Sequence, residues 1–159
     1  MTTAALNWKF KSGFTLIEIV MAIAIVFMVG AIVLGPLTMF RTQKTLDATV
    51  EEVFAAFSRA HIDTISSLYD MQYGVHLDAD RVVYFVGPSY VVGAPTNSVY
   101  ELSSAIEIGS ISLNPSGNDV LFQRLTGGTN NYGTFEIRAK SNSTLRAVVI
   151  VNGTGAISL

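Results

Sequence analysis

Few residues of this chain have side chains that could do chemistry, and they are scattered. The sequence has no cysteine, which excludes disulfides, thiolate metal sites and cysteine nucleophiles. The only histidines are His61 and His76, and neither lies in a recognisable Ser-His-Asp context. A single histidine without a second ligand at helical spacing is more typical of a packed or surface residue than of a metal site. A hydrolase is therefore not indicated.

Three aspartates offer carboxylate oxygens to a cation, but their pattern does not match a known calcium loop. Asp78, Asp80 and Asp119 lack the spacing and the bidentate glutamate that such a loop requires. The pair Gly127-Gly128 is not followed by a predicted helix, which a phosphate-binding loop needs. We interpret these residues as solvated turn acids and turn glycines, and we expect no metal and no cofactor.

The composition favours a folded protein that meets an apolar environment. Of the 159 residues, 50% are apolar and 14% are charged, and the mean hydropathy is +0.44. This balance is too apolar for a disordered chain. The formal net charge of -2 provides no global basic field for nonspecific nucleic-acid binding.

The segment from Phe14 to Phe40 predicts a membrane helix. Its one charged residue is Glu18, and at about 1.5 Å rise per residue it is long enough for the ~30 Å hydrocarbon core of a bilayer. Lys9 and Lys11 precede it without any acid, so the N-terminus is predicted to stay in the cytoplasm and the rest to lie outside. A carboxylate in hydrocarbon costs about 2.5 to 3.5 kcal/mol. Glu18 therefore lies at headgroup level or has a cationic partner.

One short segment carries a specific resemblance, namely Lys11-Ser12-Gly13-Phe14-Thr15-Leu16-Ile17-Glu18. It closely resembles the processing site of type IV prepilins and type II secretion pseudopilins. In that family a membrane prepilin peptidase cuts after the glycine and methylates the new N-terminus, which by resemblance places the cut between Gly13 and Phe14. The new amine would be four residues from Glu18, one helical turn away. The resemblance also implies that Glu18 meets the amine of a neighbouring subunit during assembly, a buried pair that specifies register more than it adds stability.

The resemblance implies partners as well as processing. These are the prepilin peptidase, other pilin or pseudopilin subunits, membrane lipid before assembly and, indirectly, an inner-membrane platform protein and an assembly ATPase. It implies a structural subunit without catalysis of its own. An uncleaved single-pass protein with a membrane-anchored outer domain is an alternative that the same apolar segment permits.

The elements that position these residues predict an α+β fold, with a long N-terminal helix packed on an antiparallel β-sheet domain. A single helix from about Phe14 to Leu68 is expected, with a break at Gly35 and Pro36 because proline lacks the amide of a helical hydrogen bond. We predict four parts: 1–13 as leader, 14–40 as transmembrane and polymerisation helix, 41–69 as its amphipathic continuation, and 70–159 as a β-rich pilin-like domain. The predicted strands are Tyr73–Leu77, Arg81–Val86, Val99–Leu102, Ile106–Leu113, Val120–Arg124, Thr134–Ala139, Leu145–Val151 and Ala156–Leu159.

The predicted turns and loops between these strands follow from the polar and glycine-rich segments. Asp78-Ala79-Asp80 and Asn152-Gly153-Thr154-Gly155 suggest hairpin turns, and residues 141–144 suggest a tight polar turn. Residues 88–97 and 126–132 are expected to be exposed loops. Short links without helices favour antiparallel pairing.

The outer domain resembles, more loosely, the H-type pseudopilins and FimT-like (GspH/FimT-type) minor pilins. The resemblance rests on the segments Tyr73–Leu77 and Val149–Gly153 and on a strand centred on Phe122. Some FimT-like proteins bind DNA through C-terminal basic residues, which makes Arg138, Lys140 and Arg146 a hypothetical phosphate-contacting patch. Charged strand edges explain the same residues without a ligand.

Two further segments match the acceptor pattern for N-glycosylation. They are Asn142-Ser143-Thr144 and Asn152-Gly153-Thr154. A bacterial pilin-like protein has no default reason to use this pattern, so the sequence alone assigns it no role.

Overall fold

The structure is a computed structural model that describes residues 13–159, with only the backbone described at residues 32–36. The predicted leader lies outside the described residues except for Gly13, and so do Lys9 and Lys11. Of the described residues, those up to Met39 belong to one compact unit, and Phe40–Leu159 form a second one.

Helix α1 comprises Leu16–Ile65. It begins after Thr15, whose side-chain oxygen accepts a hydrogen bond from the Glu18 amide at 3.3 Å. The helix is therefore shorter at both ends than the predicted Phe14 to Leu68. At its C-terminal end, Ser67 adopts a left-handed backbone conformation with φ of 49°, and a short 3-10 turn follows at Leu68–Asp70. A left-handed residue cannot continue a right-handed helix, which explains the earlier end.

The helical assignment of α1 continues through Gly35 and Pro36. The missing proline amide removes one hydrogen bond without ending the helix. The predicted break at these residues stays a prediction. Among the residues that the structure describes, we find no helix with both the length and the apolar character needed to cross a bilayer. The transmembrane helix predicted over residues 14–40 thus also stays a prediction.

Eight strands follow the helix and form two four-stranded antiparallel sheets. Their bounds are β1 Tyr73–Leu77, β2 Arg81–Val86, β3 Ser98–Glu101, β4 Ile106–Asn114, β5 Asp119–Leu121, β6 Tyr132–Ala139, β7 Asn142–Val151 and β8 Ile157–Ser158. One sheet has the order β3-β2-β1-β5 and the other β4-β6-β7-β8. Every predicted strand overlaps an observed one, and the predicted α+β fold is confirmed.

The core of the second unit lies between α1 and the inner faces of both sheets. The helix contributes a buried stripe that includes Val53, Phe57 and Ala60. The Phe57 ring stacks on Phe135 of β6 at 5.8 Å between centroids and meets Phe122 edge-on at 6.4 Å. Such ring pairs add about 0.5 to 1.5 kcal/mol each beyond the burial of their area.

Three of the predicted connections differ from the structure. The predicted exposed loop 126–132 contains the buried residues Gly127 and Thr129, and its last residue, Tyr132, begins β6. The turn predicted at residues 141–144 is a two-residue turn at 140–141, and β7 already begins at Asn142. The polar residues after the turn lie in a register irregularity between β6 and β7 instead. The predicted exposed loop 88–97 is mostly exposed, but Tyr90 turns back and stacks on His76 at 3.9 Å between ring centroids.

Candidate assembly site

The N-terminal part of α1 exposes its apolar side chains on every side. All the large apolar residues from Phe14 to Val29 are at least 51% exposed. Because 100° separates successive residues in a helix, a continuous apolar run leaves no polar face. Contiguous apolar surface of this kind is typical of a protein or membrane interaction site. This part of the helix is thus suited to contacts with other molecules.

Glu18 lies in the first turn of α1. Its amide hydrogen bonds to Thr15 satisfy part of the helix N-terminus, where a carboxylate is also favoured by the helix dipole. Phe14 lies before the helix begins. The predicted pairing of Glu18 with an amine created at residue 14 stays a prediction.

Gly13 stands in open space. A Cβ atom built at this position would find no heavy atom within 4 Å. Packing among the described residues therefore does not require a glycine here, and the predicted cut after Gly13 stays a prediction.

The three basic residues predicted to contact DNA do not form a free cationic patch. Arg138 Nε contacts Glu107 Oε1 at 2.8 Å, and Arg146 Nη1 contacts Glu136 Oε1 at 3.2 Å. Arg138 pairs with Glu107 across β6 and β4 and with Arg146 across β6 and β7. The two cations and two carboxylates alternate on one sheet face and neutralise each other.

The position of Arg138 is fixed further by a glycine. A side chain at Gly109 of β4 would place its Cβ 2.9 Å from Arg138 Cζ, so the guanidinium lies flat against the strand. Lys140 lies apart, in the turn between β6 and β7. This arrangement favours cross-strand ion pairs over phosphate contacts.

The two predicted turn acids are held by an arginine. Arg81 Nε lies 3.2 Å from Asp78 Oδ2 and 3.7 Å from Asp80 Oδ1. The hydrogen bond that Arg81 donates to Asp78 and the charge of Asp80 raise the pKa of Arg81 above its ordinary value. Asp119 contacts His76 Nδ1 at 2.5 Å instead of joining them. Within the described part of the chain, no three His, Cys, Asp or Glu side chains lie together as a potential metal site.

A second polar cluster joins the C-terminal part of α1 to β2. Tyr84 donates a hydrogen bond to Asp63 Oδ2 at 2.9 Å, and the Arg59 guanidinium lies 4.4 Å from the Tyr84 ring centroid. Burial and the hydrogen bond to Asp63 together raise the pKa of Tyr84 well above its ordinary value. A hydrogen bond to the Tyr100 hydroxyl raises the pKa of Arg59. The protonated Tyr84 hydroxyl and Arg59 guanidinium thus connect the helix to the sheet at neutral pH.

The helix cap, the Tyr84 cluster and the contact of His76 with Asp119 were not predicted from the sequence. The cap has a sequence signal, because Thr15 and Glu18 have the T-x-x-E spacing of a capping box. The Tyr84 cluster and the contact of His76 with Asp119 have none, since their members come from separate elements. His61, predicted to be packed or exposed, meets Phe122 edge-on at 5.4 Å between ring centroids. Its half-buried ring matches a packed histidine.

Comparison with known proteins adds a sequence match at the N-terminus and likenesses of fold. The family model of the prokaryotic N-terminal methylation motif matches residues 8–34. No curated protein matches the sequence significantly. The type IV minor pilin FimU of Pseudomonas aeruginosa, in one crystal form, has a TM-score of 0.58 and 16% identity, covering 76% of this chain and 91% of FimU. A second crystal form of FimU has a TM-score of 0.55 and 15% identity, covering 71% of this chain and 90% of FimU.

A protein of a secretion machine has a related fold. The minor pseudopilin EpsH, from the type 2 secretion system of Vibrio cholerae, has a TM-score of 0.50 and 14% identity, covering 71% of this chain and 94% of EpsH. At these identities the likenesses concern the fold, whereas the methylation motif concerns the residues around Gly13. The chain thus carries the prokaryotic N-terminal methylation motif at residues 8–34, and its α+β fold is similar to the folds of FimU and EpsH.

Proposed function

We propose that the chain is a minor pilin or pseudopilin that is cut between Gly13 and Phe14 and then polymerises through the N-terminal part of α1. The product is a type IV pilus or a type II secretion filament. One observation carries this proposal: the apolar side chains from Phe14 to Val29 are exposed in the isolated chain. Association of such helices removes that surface from water, at roughly 25 cal/mol per Å² of apolar area.

Membrane insertion precedes assembly in this proposal. The apolar surface that packs between subunits can lie in lipid first, because lipid tails are as apolar as the side chains of a helix bundle. The basic residues of the leader keep the N-terminus in the cytoplasm, and the β-rich domain lies outside. The same surface then leaves lipid for the filament at little cost in hydration.

Glu18 is the assembly residue of the proposal. Its carboxylate is exposed in the isolated chain and would enter an apolar helix bundle on polymerisation. The α-amine of a neighbouring subunit, created at Phe14 by the cut, neutralises it there. Removing one partner of a buried ion pair costs about 3 to 5 kcal/mol, so the pair sets the register in which subunits dock.

The chain has no catalysis of its own in this proposal. Its processing depends on the prepilin peptidase, and its incorporation depends on other subunits, a platform protein and an assembly ATPase. The second unit decorates the filament surface. Its charge-neutral sheet face, with Arg138 and Arg146 paired to glutamates, does not favour DNA binding as the main role.

The N-terminus of the mature chain tests the processing step. Intact-mass and N-terminal peptide analysis of protein from sheared filaments should show a chain that starts at methylated Phe14. A mature chain that retains Met1 to Gly13 in cells with active prepilin peptidase would contradict the proposal. It would favour the alternative of an uncleaved membrane anchor.

The Glu18→Ala variant tests the assembly step. We expect normal cleavage, because the cut lies before Phe14, and a large loss of the variant from sheared filaments, because the neighbour's amine is left unpaired. Glu51→Ala is the matched control, since it removes an exposed acid from the part of the same helix that belongs to the second unit. Equal incorporation of the two variants would count against the pairing of Glu18 with an amine.

A further inference from the structure

The segment Asn142-Ser143-Thr144 lies at an exposed hairpin end. It follows the turn at 140–141 and forms the beginning of β7, and all three residues are exposed. The register of β6 against β7 passes from Ala139↔Asn142 directly to Arg138↔Arg146. Residues 143–145 therefore stand outside the regular ladder. An enzyme can reach an exposed, unpaired segment of this kind without unfolding the sheet.

The side-chain oxygen of Asn142 accepts the hydrogen bonds that hold this side chain in place. Thr144 donates two hydrogen bonds to Asn142 Oδ1, from the backbone N–H at 3.1 Å and from the hydroxyl at 2.6 Å. A backbone N–H can only donate, so the accepting atom is the amide oxygen and the orientation of the amide is settled. Nδ2 has no hydrogen-bond acceptor among the residues that the structure describes. The amide nitrogen of Asn142 thus faces outward.

The second segment of the same pattern, Asn152-Gly153-Thr154, is built differently. Asn152 Nδ2 donates a hydrogen bond to the Ala156 carbonyl at 3.3 Å. A carbonyl can only accept, so the engaged atom is the amide nitrogen. In the turn between β7 and β8, the side-chain nitrogen of Asn152 is therefore already engaged in a hydrogen bond. The two segments share one sequence pattern, but the amide nitrogen of Asn142 is exposed whereas that of Asn152 is hydrogen-bonded.

We propose that Asn142 is an acceptor for an N-linked glycan and that Asn152 is not. The proposal rests on the proposed function in one respect, since it places the β-rich domain on the outer side of the membrane. The donor is a sugar activated as a polyprenyl diphosphate. The Thr144 hydroxyl is the recognition element for a glycosyltransferase of N-x-Ser/Thr specificity.

The transfer balances without a redox step. A bond forms between Asn142 Nδ2 and C1 of the sugar, while the bond between C1 and the diphosphate oxygen breaks. The lipid diphosphate leaves with the electron pair, and Nδ2 gives one proton to a base of the transferase. The chain contributes the outward nitrogen and the Thr144 hydroxyl, and the transferase contributes the catalysis.

Mass spectrometry of the tryptic peptide Ser141–Arg146 tests the proposal, because trypsin cuts after Lys140 and after Arg146. In full-length chain from the native host, we expect a glycan mass on this peptide that enzymatic release of N-glycans removes while converting Asn142 to Asp. Asn142→Gln and Thr144→Val should abolish it, whereas Thr144→Ser should retain it. Asn152→Gln is the matched control and should leave it unchanged. A mass that persists in Asn142→Gln would overturn the proposal and identify modification of a hydroxyl instead.

A second arm separates failure of the glycan site from failure of the proposed function. The purified full-length chain is incubated in detergent with an oligosaccharyltransferase of N-x-Ser/Thr specificity and its lipid-linked donor. We expect glycosylation at Asn142 at least tenfold above Asn152. A chain that begins at Phe14 in the host but carries no glycan overturns the glycan proposal. If the host chain retains residues 1–13, the proposed function fails, and equal or absent transfer at Asn142 in the purified reaction then overturns the glycan proposal by itself.

Discussion

The two parts of helix α1 differ in where their apolar side chains go. In the N-terminal part, Ile25 is 60% exposed and its neighbours are similarly open, whereas in the C-terminal part Phe57 is 1% exposed. The C-terminal part alternates apolar residues with charged ones such as Glu51 and Arg59, which gives it one wet and one dry face. The N-terminal part has no such alternation. A helix that is apolar all round has to be covered by other molecules, while an amphipathic helix can be covered by its own domain.

The largest expected effect comes from the buried stripe. Phe57→Ala should lower the free energy of unfolding by about 3 to 5 kcal/mol, because it leaves a cavity against both Phe135 and Phe122. Urea denaturation followed by near-UV circular dichroism measures this in detergent-solubilised chain. Ile25→Ala is the matched control, and it should leave the unfolding of the second unit unchanged. Equal destabilisation by the two changes would remove the distinction between the parts of α1.

An intermediate effect is expected where Tyr84 fastens the C-terminal part of α1 to β2. Tyr84→Phe should lower the free energy of unfolding by about 1.5 to 3 kcal/mol at neutral pH, since it removes a hydrogen bond to the Asp63 carboxylate. The pH dependence has a defined sign. The pKa of Tyr84 is raised in the folded state above the ordinary 10.0, so its contribution is fully present below pH 10 and is lost as the pH rises further.

The wild-type chain should therefore lose stability above pH 10 more steeply than Tyr84→Phe. A series of denaturation curves from pH 7 upward measures the difference. The pH dependence that the variant retains includes Tyr73, whose pKa is also raised by burial. Identical slopes for the two proteins would show that the phenol of Tyr84 does not fasten the helix in its neutral form.

The smallest effect is expected on the wet face of the C-terminal part. Ile62 is 62% exposed there, and Ile62→Ser should change the free energy of unfolding by less than about 0.5 kcal/mol. Its incorporation into filaments should match the wild type. A destabilisation comparable with that of Phe57→Ala would mean that the amphipathic pattern does not divide the helix as proposed.

The fold followed largely from the sequence because its signals are local. Runs of β-branched and aromatic residues gave the bounds of β1 and β2 to the residue. Turn residues such as Asp78 and Gly153 marked the β1–β2 and β7–β8 hairpins. The end of α1 was not predictable in this way. Its left-handed residues Ser67, Tyr69 and Asp70 are not glycines, so no local signal marked the stop.

The candidate site was likewise predictable only where its residues are close together in sequence. Gly13, Phe14 and Glu18 form one contiguous motif, which a sequence shows in full. The pairing of Arg138 with Glu107 depends on the register of β6 against β4, and no local sequence signal gives that register. A charge count along the chain therefore suggested a basic patch where the folded sheet has ion pairs.

Gly109 determines how the Arg138 side chain lies on the sheet face that carries the two ion pairs. The guanidinium of Arg138 can lie down only because nothing projects from residue 109. A Cβ atom at residue 109 would push this guanidinium aside and weaken its contact with Glu107. The charge balance of this sheet face therefore depends on a residue that carries no charge itself.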